Sequence, residues 1–270
     1  KCFKSHMINY SKQLITKNDI KSVLKTLKSD FLTQGPTVGK FENNISKYCG
    51  SKYSVAVNSA TSGLHIGCLA LNLKKNDIVW TSAISFVASA NCAAYCGAEV
   101  NFLDISLDNF NVDVNELEKK LIIAKKNKKL PKIIILVHFA GLPCDMKKIY
   151  NLKKKFKFKI IEDASHALGS RYYNTKIGDC TYSDICVFSF HPVKPITTIE
   201  GGVVTTNNKN VYKNLQIFRE HGIIRHKNKN MRPKYYEQIK LGYNYRMNDV
   251  QAALGIEQLK KLNQFNKLRS

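Results

Sequence analysis

The sequence predicts an α/β fold whose large domain contains a mainly parallel, seven-stranded sheet. Short apolar runs rich in Val and Ile alternate with helical patterns through the middle of the chain, which is typical of βαβ units. The chain has 270 residues, 44% of them hydrophobic, so it is long enough to bury the core of one large domain. The predicted strands are residues 53–57, 78–81, 100–103, 133–138, 158–162, 185–190 and 202–206.

Helical patterns lie between the strands and at both ends of the chain. Thr16 is a candidate N-cap for a helix over 17–28, and a Gly35-Pro36 turn precedes an amphipathic pattern over 41–48. Further helices are predicted over 62–71, 85–95 and 248–268.

The strong positive charge of the chain does not by itself indicate nucleic-acid binding. The formal net charge is +23, but only six of the 43 basic residues are arginines, and the lysines are scattered over helical surfaces. The densest lysine runs, 125–129 and 153–155, lack the interleaved aromatics or paired arginines that contact bases. We therefore expect solvated faces and no nucleic-acid partner, with part of the charge favouring an anionic substrate.

The cysteines and the hydropathy pattern indicate a cytoplasmic protein. None of the eight cysteines forms a CxxC pair or a zinc-type spacing, and most stand in apolar surroundings, so we expect reduced thiols and no metal site. The least polar stretch, 83–98, is interrupted by Ser85, Ser89 and Asn91, and no signal peptide is visible, so we expect no membrane association.

The first candidate site motif is IIEDASHALG at 160–169, where a buried strand runs into Asp163 and His166. Open parallel sheets bind ligands at the carboxyl ends of their strands. A carboxylate there could pair with a cationic ring nitrogen, and a histidine three residues later could face the same ligand. Purely structural roles for both side chains remain open at this point.

The second motif is SFHPVKPITTIEGG at 189–202, a strand end followed by a loop with two prolines and a Gly pair. Lys194 differs from the other lysines because it stands in a structured, partly apolar loop. Such a lysine loses its proton more easily, as a Schiff-base nucleophile requires. An ordinary exposed loop lysine is the alternative.

The third motif is NSATSG at 58–63, where a strand ends and small hydroxyl residues begin a helix. The exposed amides and the helix dipole could hold a phosphate, although N-capping by Ser59 or Thr61 explains the same residues. Phe86 could cover a planar cofactor ring or could equally be a core residue.

In this order the motifs resemble the DegT/StrS-type family of fold-type I sugar aminotransferases, from LTQGP at 32–36 to NYRMN at 244–248. The resemblance implies pyridoxal 5'-phosphate as cofactor, with Lys194 as the lysine that binds it covalently and Asp163 as the carboxylate paired with its ring nitrogen. His166 matches the residue near the cofactor's phenolic oxygen, where many relatives have glutamine. Further cofactor contacts are implied for Ala60, Thr61, Phe86, Ser189 and Asn244.

The resemblance also implies a substrate and an assembly. Asn244 matches an asparagine that reaches the phosphate of the neighbouring subunit, which implies a homodimer with shared sites. The segments 84–88 and 191–198 most resemble enzymes of pseudaminic acid synthesis, which implies transfer of an amino group, from glutamate, to a UDP-linked 4-keto-6-deoxy sugar. A related enzyme for another keto sugar, a catalytically silent partner or regulator, and a sugar dehydratase are alternatives; the dehydratases usually have histidine in place of Lys194.

The same resemblance suggests a domain division. We expect an N-terminal segment over 1–30, in which 1–6 precede Met7 and need not be native, and a large cofactor-binding domain over 31–250. Residues 251–270 are expected to begin a helix leading to a C-terminal small domain that this chain lacks.

Overall fold

Helices and strands alternate along most of the chain. A computed structural model describes residues 11–225 and 235–269. In chain order the elements are α1 (Lys17–Leu27), α2 (Pro36–Cys49), β1 (Tyr53–Val57), α3 (Ala60–Ala70), β2 (Ile78–Ser82), α4 (Ala88–Ala94), β3 (Glu99–Leu103), α5 (Val114–Lys126), β4 (Ile133–Val137), α6 (Met146–Phe156), β5 (Lys159–Asp163), β6 (Arg171–Tyr172), β7 (Thr175–Lys176), β8 (Ile185–Ser189), β9 (Gly202–Thr206), α7 (Lys209–Arg219), β10 (Ile223–Arg225), β11 (Tyr236–Gln238) and α8 (Asp249–Arg269).

The main sheet confirms the predicted fold class, with seven mainly parallel strands. Its seven strands, within the described residues, lie in the order β1-β9-β8-β5-β4-β2-β3. Strand β9 runs antiparallel to both of its neighbours, and the remaining pairs are parallel. Each of these strands coincides with a predicted one, with ends that shift by at most one residue. Six strands therefore direct their carboxyl ends to one edge, where β9 begins.

The predicted starts of α3 and α4 need correction. Helix α3 begins at Ala60 because the Ser59 side chain accepts a hydrogen bond from the Ser62 amide and caps the helix there. Helix α4 begins only at Ala88, three residues after the predicted start, because the Ser89 amide bonds to the Phe86 carbonyl in a tight turn. Phe86 is thus in the turn before the helix.

The terminal helices follow the sequence signals. Thr16 forms the expected cap of α1, together with Asp19 in a capping box. Helix α2 extends the predicted 41–48 pattern back to Pro36, since proline suits the first turn, where its missing N–H is not needed. Helix α8 agrees with the final predicted helix within one residue.

Apolar side chains cover both faces of the sheet. In β4, Ile133 and Ile135 pack into the cluster under α3, α4 and α7, whereas Ile134 and Leu136 pack into the cluster under α5 and α6. This alternation follows from the two-residue period of a strand. A sheet covered on both faces explains why its strands are continuous apolar runs in sequence.

Helix α8 packs against α1 and α2 and contributes Leu262 and Phe265 to a third apolar cluster. The proposed domain boundaries at residues 30 and 250 stay a prediction. Met7 and residues 1–6 lie outside the described residues.

Candidate active site

A cavity of about 940 Å³ lies at the carboxyl edge of the parallel strands. It is lined by residues that end or directly follow five different strands: Asn58 after β1, Ile84 after β2, His138 after β4, Asp163 in β5 and Ser189 in β8. Glu200, just before the antiparallel β9, also lines it. The strand directions alone therefore bring segments distant in sequence to one site, as expected for open α/β sheets.

Asp163 is a buried carboxylate in this cavity. It is 5% exposed, and its Oδ2 accepts a 2.6 Å hydrogen bond from the Ser89 hydroxyl. Its Oδ1 accepts a 2.6 Å bond from the Ser165 hydroxyl and a 3.2 Å bond from the Ser165 amide. Three donors on one buried carboxylate stabilise the charge that Asp163 would present to a cationic ligand.

Lys194 extends into the same cavity and contacts His166. The distance between Lys194 Nζ and His166 Nε2 is 2.6 Å. Burial lowers the pKa of Lys194 below its usual range, and the nearby Asp163 charge only partly opposes this effect. Burial, and then the positive charge of Lys194, lower the pKa of His166, so a neutral imidazole accepts the hydrogen bond from the lysine.

The N-terminus of α3 forms one end of the cavity. Ala60 and Thr61 stand in its first turn, whose amides have no partner within the helix and attract anions. Gly202 permits this arrangement, because a Cβ there would lie 2.7 Å from the Ala60 nitrogen. In the sheet, Gly202 of β9 pairs with Val57 of β1 on one side and with Ser189 of β8 on the other. This register places Ser189 at the same end of the cavity as the N-terminus of α3.

Phe86 and Asn244 occupy contrasting positions. Phe86 lines the cavity and is 75% exposed, so it is not a core residue. Asn244 is exposed and is not among the lining residues, although the Asn58 amide bonds to the carbonyl of its neighbour Tyr245. The structure therefore brings together Ala60, Thr61, Phe86, Asp163, His166, Ser189 and Lys194, but not Asn244.

Sequence reasoning missed the serines that contact Asp163. Ser89 attracted notice only as an interruption of an apolar stretch, and Ser165 only as a letter between Asp163 and His166. A fully buried serine in an apolar helix is a usable signal, but the sequence does not reveal which side chain it meets. His138, which lines the cavity, was also missed; its Nε2 lies 2.7 Å from Glu162 Oε2.

Further features of the described chain concern metal ligands, thiols and membrane-spanning helices. Over residues 11–225 and 235–269, no group of three His, Cys, Asp or Glu side chains could hold a metal ion. The described cysteines are free, and burial raises the pKa of several, including Cys49 and Cys96 to about 12. None of the helices in that part of the chain has both the length and the apolar character needed to cross a membrane.

The residues of the cavity suit a planar cofactor that carries a phosphate. A helix N-terminus for the phosphate, a buried carboxylate for a ring nitrogen and a lysine of lowered pKa for an aldehyde all face one space. The fold and the site thus define the class of α/β proteins that bind such a cofactor at the carboxyl ends of their strands.

The chain belongs to the DegT/DnrJ/EryC1/StrS aminotransferase family, whose model matches residues 13–270. It is 45% identical over 256 residues to the UDP-4-amino-4,6-dideoxy-N-acetyl-β-L-altrosamine transaminase of Campylobacter jejuni, a match that covers 95% of this chain and 65% of that protein. The chain spans 65% of the length of this relative and of a second Campylobacter jejuni transaminase of the same name.

Solved structures agree with this family membership. The chain is similar to Helicobacter pylori PseC, an aminotransferase of pseudaminic acid biosynthesis, with TM-score 0.85 and 36% identity over 95% of this chain and 66% of that one. It is also similar to Spr1654 from Streptococcus pneumoniae, described as a sugar aminotransferase, in its PMP form, with TM-score 0.86 and 31% identity over 96% and 68% of the two chains.

Proposed function

We propose that the protein is a pyridoxal-phosphate-dependent aminotransferase that transfers an amino group from glutamate to a nucleotide-linked 4-keto-6-deoxy sugar. The observation that carries the proposal is the half-buried Lys194 amine, which shares one cavity with the Asp163 carboxylate and the N-terminus of α3. Membership of an aminotransferase family and similarity to a structure with bound PLP support it.

Each residue has a physical role in holding the cofactor. The first-turn amides at Ala60 and Thr61, with the Ser189 hydroxyl, would bind the phosphate. Asp163 would keep the ring nitrogen protonated, and Phe86 would close over one face of the ring. When bound, pyridoxal phosphate supplies an electron sink for the carbon that loses a proton.

Lys194 and His166 would handle the proton. Because burial lowers the pKa of Lys194, the amine spends more time neutral than an exposed lysine does, and a neutral amine can accept a proton from substrate carbon. His166, neutral for the reason given above, can donate a hydrogen bond to the phenolic oxygen of the cofactor while its other nitrogen faces the lysine.

The substrate assignment rests on the relatives. The curated relative at 45% identity is named as a transaminase for a UDP-linked amino sugar, and the cavity of about 940 Å³ leaves room beside a cofactor for a sugar. We infer a UDP-linked substrate of pseudaminic acid synthesis. Assays of purified protein with a panel of UDP-, GDP- and dTDP-linked keto sugars distinguish it from enzymes for other sugars.

Replacement of Lys194 tests the central role. Purified protein should show a cofactor absorbance band, and borohydride should fix the cofactor to Lys194, as mass spectrometry of the peptide would show. Lys194→Ala should lose activity by about 10²–10⁴-fold, the usual contribution of an acid–base group. The exposed Lys209 provides the control, since Lys209→Ala should change neither the band nor the rate.

Three results would contradict these roles or the activity itself. If the cofactor absorbance band persists in Lys194→Ala, Lys194 is not the residue to which the cofactor is attached. Asp163→Asn should slow turnover by about 10²-fold because the ring loses its charge partner, so unchanged turnover would remove Asp163 from the mechanism. Bound cofactor without release of 2-oxoglutarate from glutamate would indicate a silent partner.

We also propose a homodimer in which Asn244 completes the partner's site. Asn244 is exposed and does not line the cavity of its own chain. A residue that contributes to the site of a partner subunit must be accessible in this way. A cytoplasmic location is part of the same proposal, since the buried free thiols suit a reducing compartment.

Subunit mixing tests the shared site. Lys194→Ala and Asn244→Ala should each be weakly active alone. In a mixed dimer, one of the two sites combines an intact Lys194 with an intact Asn244, so mixing should restore activity. An equimolar mixture that stays as inactive as its components would show that Asn244 does not act across the interface.

A further inference from the structure

Two serines hold the carboxylate of Asp163 from opposite sides. Ser89, in α4, is fully buried and bonds to Oδ2, whereas Ser165, in the loop after β5, bonds to Oδ1 through both its hydroxyl and its amide. Within the described residues the Ser89 hydroxyl has this carboxylate as its hydrogen-bond partner. Ser89 is 74 residues from Asp163 along the sequence, whereas Ser165 is two residues from it.

The geometry has a physical consequence for Asp163. Hydroxyl and amide donors hold the two carboxylate oxygens of Asp163 in place through charge-assisted hydrogen bonds. Donors on both oxygens also fix the plane of the carboxyl group, while each oxygen keeps a lone pair for a further donor from the cavity. A carboxylate that is fixed in this way and keeps a free lone pair suits a protonated ring nitrogen as its partner.

The Ser89 bond also joins two parts of the site. Ser89 follows Phe86 by three residues, and its amide bonds to the Phe86 carbonyl in the turn before α4. The same residue therefore connects the segment that carries Phe86 to the carboxylate in the floor of the cavity.

We propose that Ser89 and Ser165 are positioning residues that hold the Asp163 carboxylate in place and oriented toward the ring nitrogen of the cofactor; this rests on the proposed function. They act through Asp163 and do not touch the substrate. Loss of Ser89 removes one short bond to a charged group, and loss of both serine hydroxyls removes two, so the double variant should be the more impaired.

The test uses Ser89→Ala, Ser165→Ala and the double variant, each loaded with cofactor that carries ¹⁵N in its ring. The ¹⁵N chemical shift reports protonation of the ring nitrogen directly. If the serines only stabilised the fold, their replacement would not change this shift. In the double variant the nitrogen should be protonated over a narrower pH range, and kcat should fall by about tenfold to hundredfold with little change in KM. Ser89→Thr keeps a hydroxyl at this position. Compared with Ser89→Ala, it should therefore restore both the protonation range of the ring nitrogen and kcat.

The control is Ser54→Ala in β1; Ser54 is also buried, and its hydroxyl donates to the Glu42 backbone carbonyl away from the cavity. It should leave the ¹⁵N shift and kcat unchanged. A double variant with a wild-type ¹⁵N profile and wild-type kcat would overturn the positioning role while the proposed function stands. Wild-type protein that binds no cofactor would instead overturn the proposed function itself.

Discussion

At the scale of single residues, the environment of Lys194 decides what this lysine can do. Removing an ammonium group from water disfavours its charge, and that effect exceeds the attraction of the nearby Asp163 carboxylate. The opposite case is Lys119 on α5, whose exposed amine lies 2.7 Å from Glu116, a contact that raises its pKa. Two lysines of the same chain therefore differ in the pH at which they become nucleophilic.

This contrast predicts a difference in chemical reactivity. In competitive labelling of cofactor-free protein with trace acetic anhydride, Lys194 should become reactive at a lower pH than Lys119, because its pKa is lowered and that of Lys119 is raised. Mass spectrometry of the two peptides across pH 7 to 11 measures both profiles. Coincident profiles would mean that burial does not control the protonation of Lys194.

At the scale of secondary-structure elements, α8 supplies the cap of α2. Asp249, fully buried at the start of α8, accepts hydrogen bonds from the amides of Gly35 at 2.8 Å and Thr37 at 2.9 Å. The first-turn amides of a helix need such an acceptor, and an acidic side chain also suits the positive end of the helix dipole. Gly35 is required at this junction, since a Cβ there would lie 2.4 Å from Phe31 Cβ.

Removal of this remote cap should destabilise the fold. Asp249→Ala should lower the free energy of unfolding by about 3 kcal/mol, because buried amides lose a charged acceptor. Asp113, the half-buried local cap of α5, is the matched control; it accepts from the Asn115 amide at 2.8 Å, and Asp113→Ala should cost only about 1 kcal/mol. Urea unfolding measures both, and equal losses would show that the connection between α2 and α8 adds nothing.

At the scale of the whole molecule, a buried ion pair joins the two ends of the described chain. Asp19 of α1 is fully buried and bonds to Lys261 of α8 and to Thr16. Burial alone would raise the pKa of Asp19, but the hydrogen bonds from Lys261 and Thr16 outweigh it and lower the pKa below the usual 3.8.

The sign of this shift predicts how stability depends on pH. Because the pKa of Asp19 is lower in the folded protein than in the unfolded chain, the stabilisation is present above about pH 4 and is lost as pH falls through the folded pKa. Asp19→Asn should therefore lower the free energy of unfolding by about 2 kcal/mol at pH 7, with a smaller difference below pH 4. Urea unfolding at pH 7, 5 and 3.5 measures this.

A pair within α8 whose lysine is exposed serves as control. Glu257 and Lys260 lie 2.5 Å apart, but the lysine side chain is 63% exposed, so Glu257→Gln should change stability by less than about 1 kcal/mol at every pH. If Asp19→Asn behaves like Glu257→Gln, the contact between α1 and α8 does not depend on the ion pair.

The alternation of apolar runs and helical patterns was enough to predict the sheet. Runs such as 133–137 are apolar at every position because both faces of β4 are covered, and this property is local in sequence. The start of α4 was predicted wrongly because the turn at Phe86 depends on where β2 ends and on the Ser89 amide, neither of which changes the hydropathy pattern.

The sequence by itself determined the strands, the order of the motifs and the family resemblance, since these depend on residues close together along the chain. Only the tertiary structure decided that the amine of Lys194 meets His166, that Ser89 bonds to Asp163 and that Asn244 lies outside the cavity. The physical reason is that strand order and register, set by packing across the whole sheet, bring together side chains that no local pattern connects.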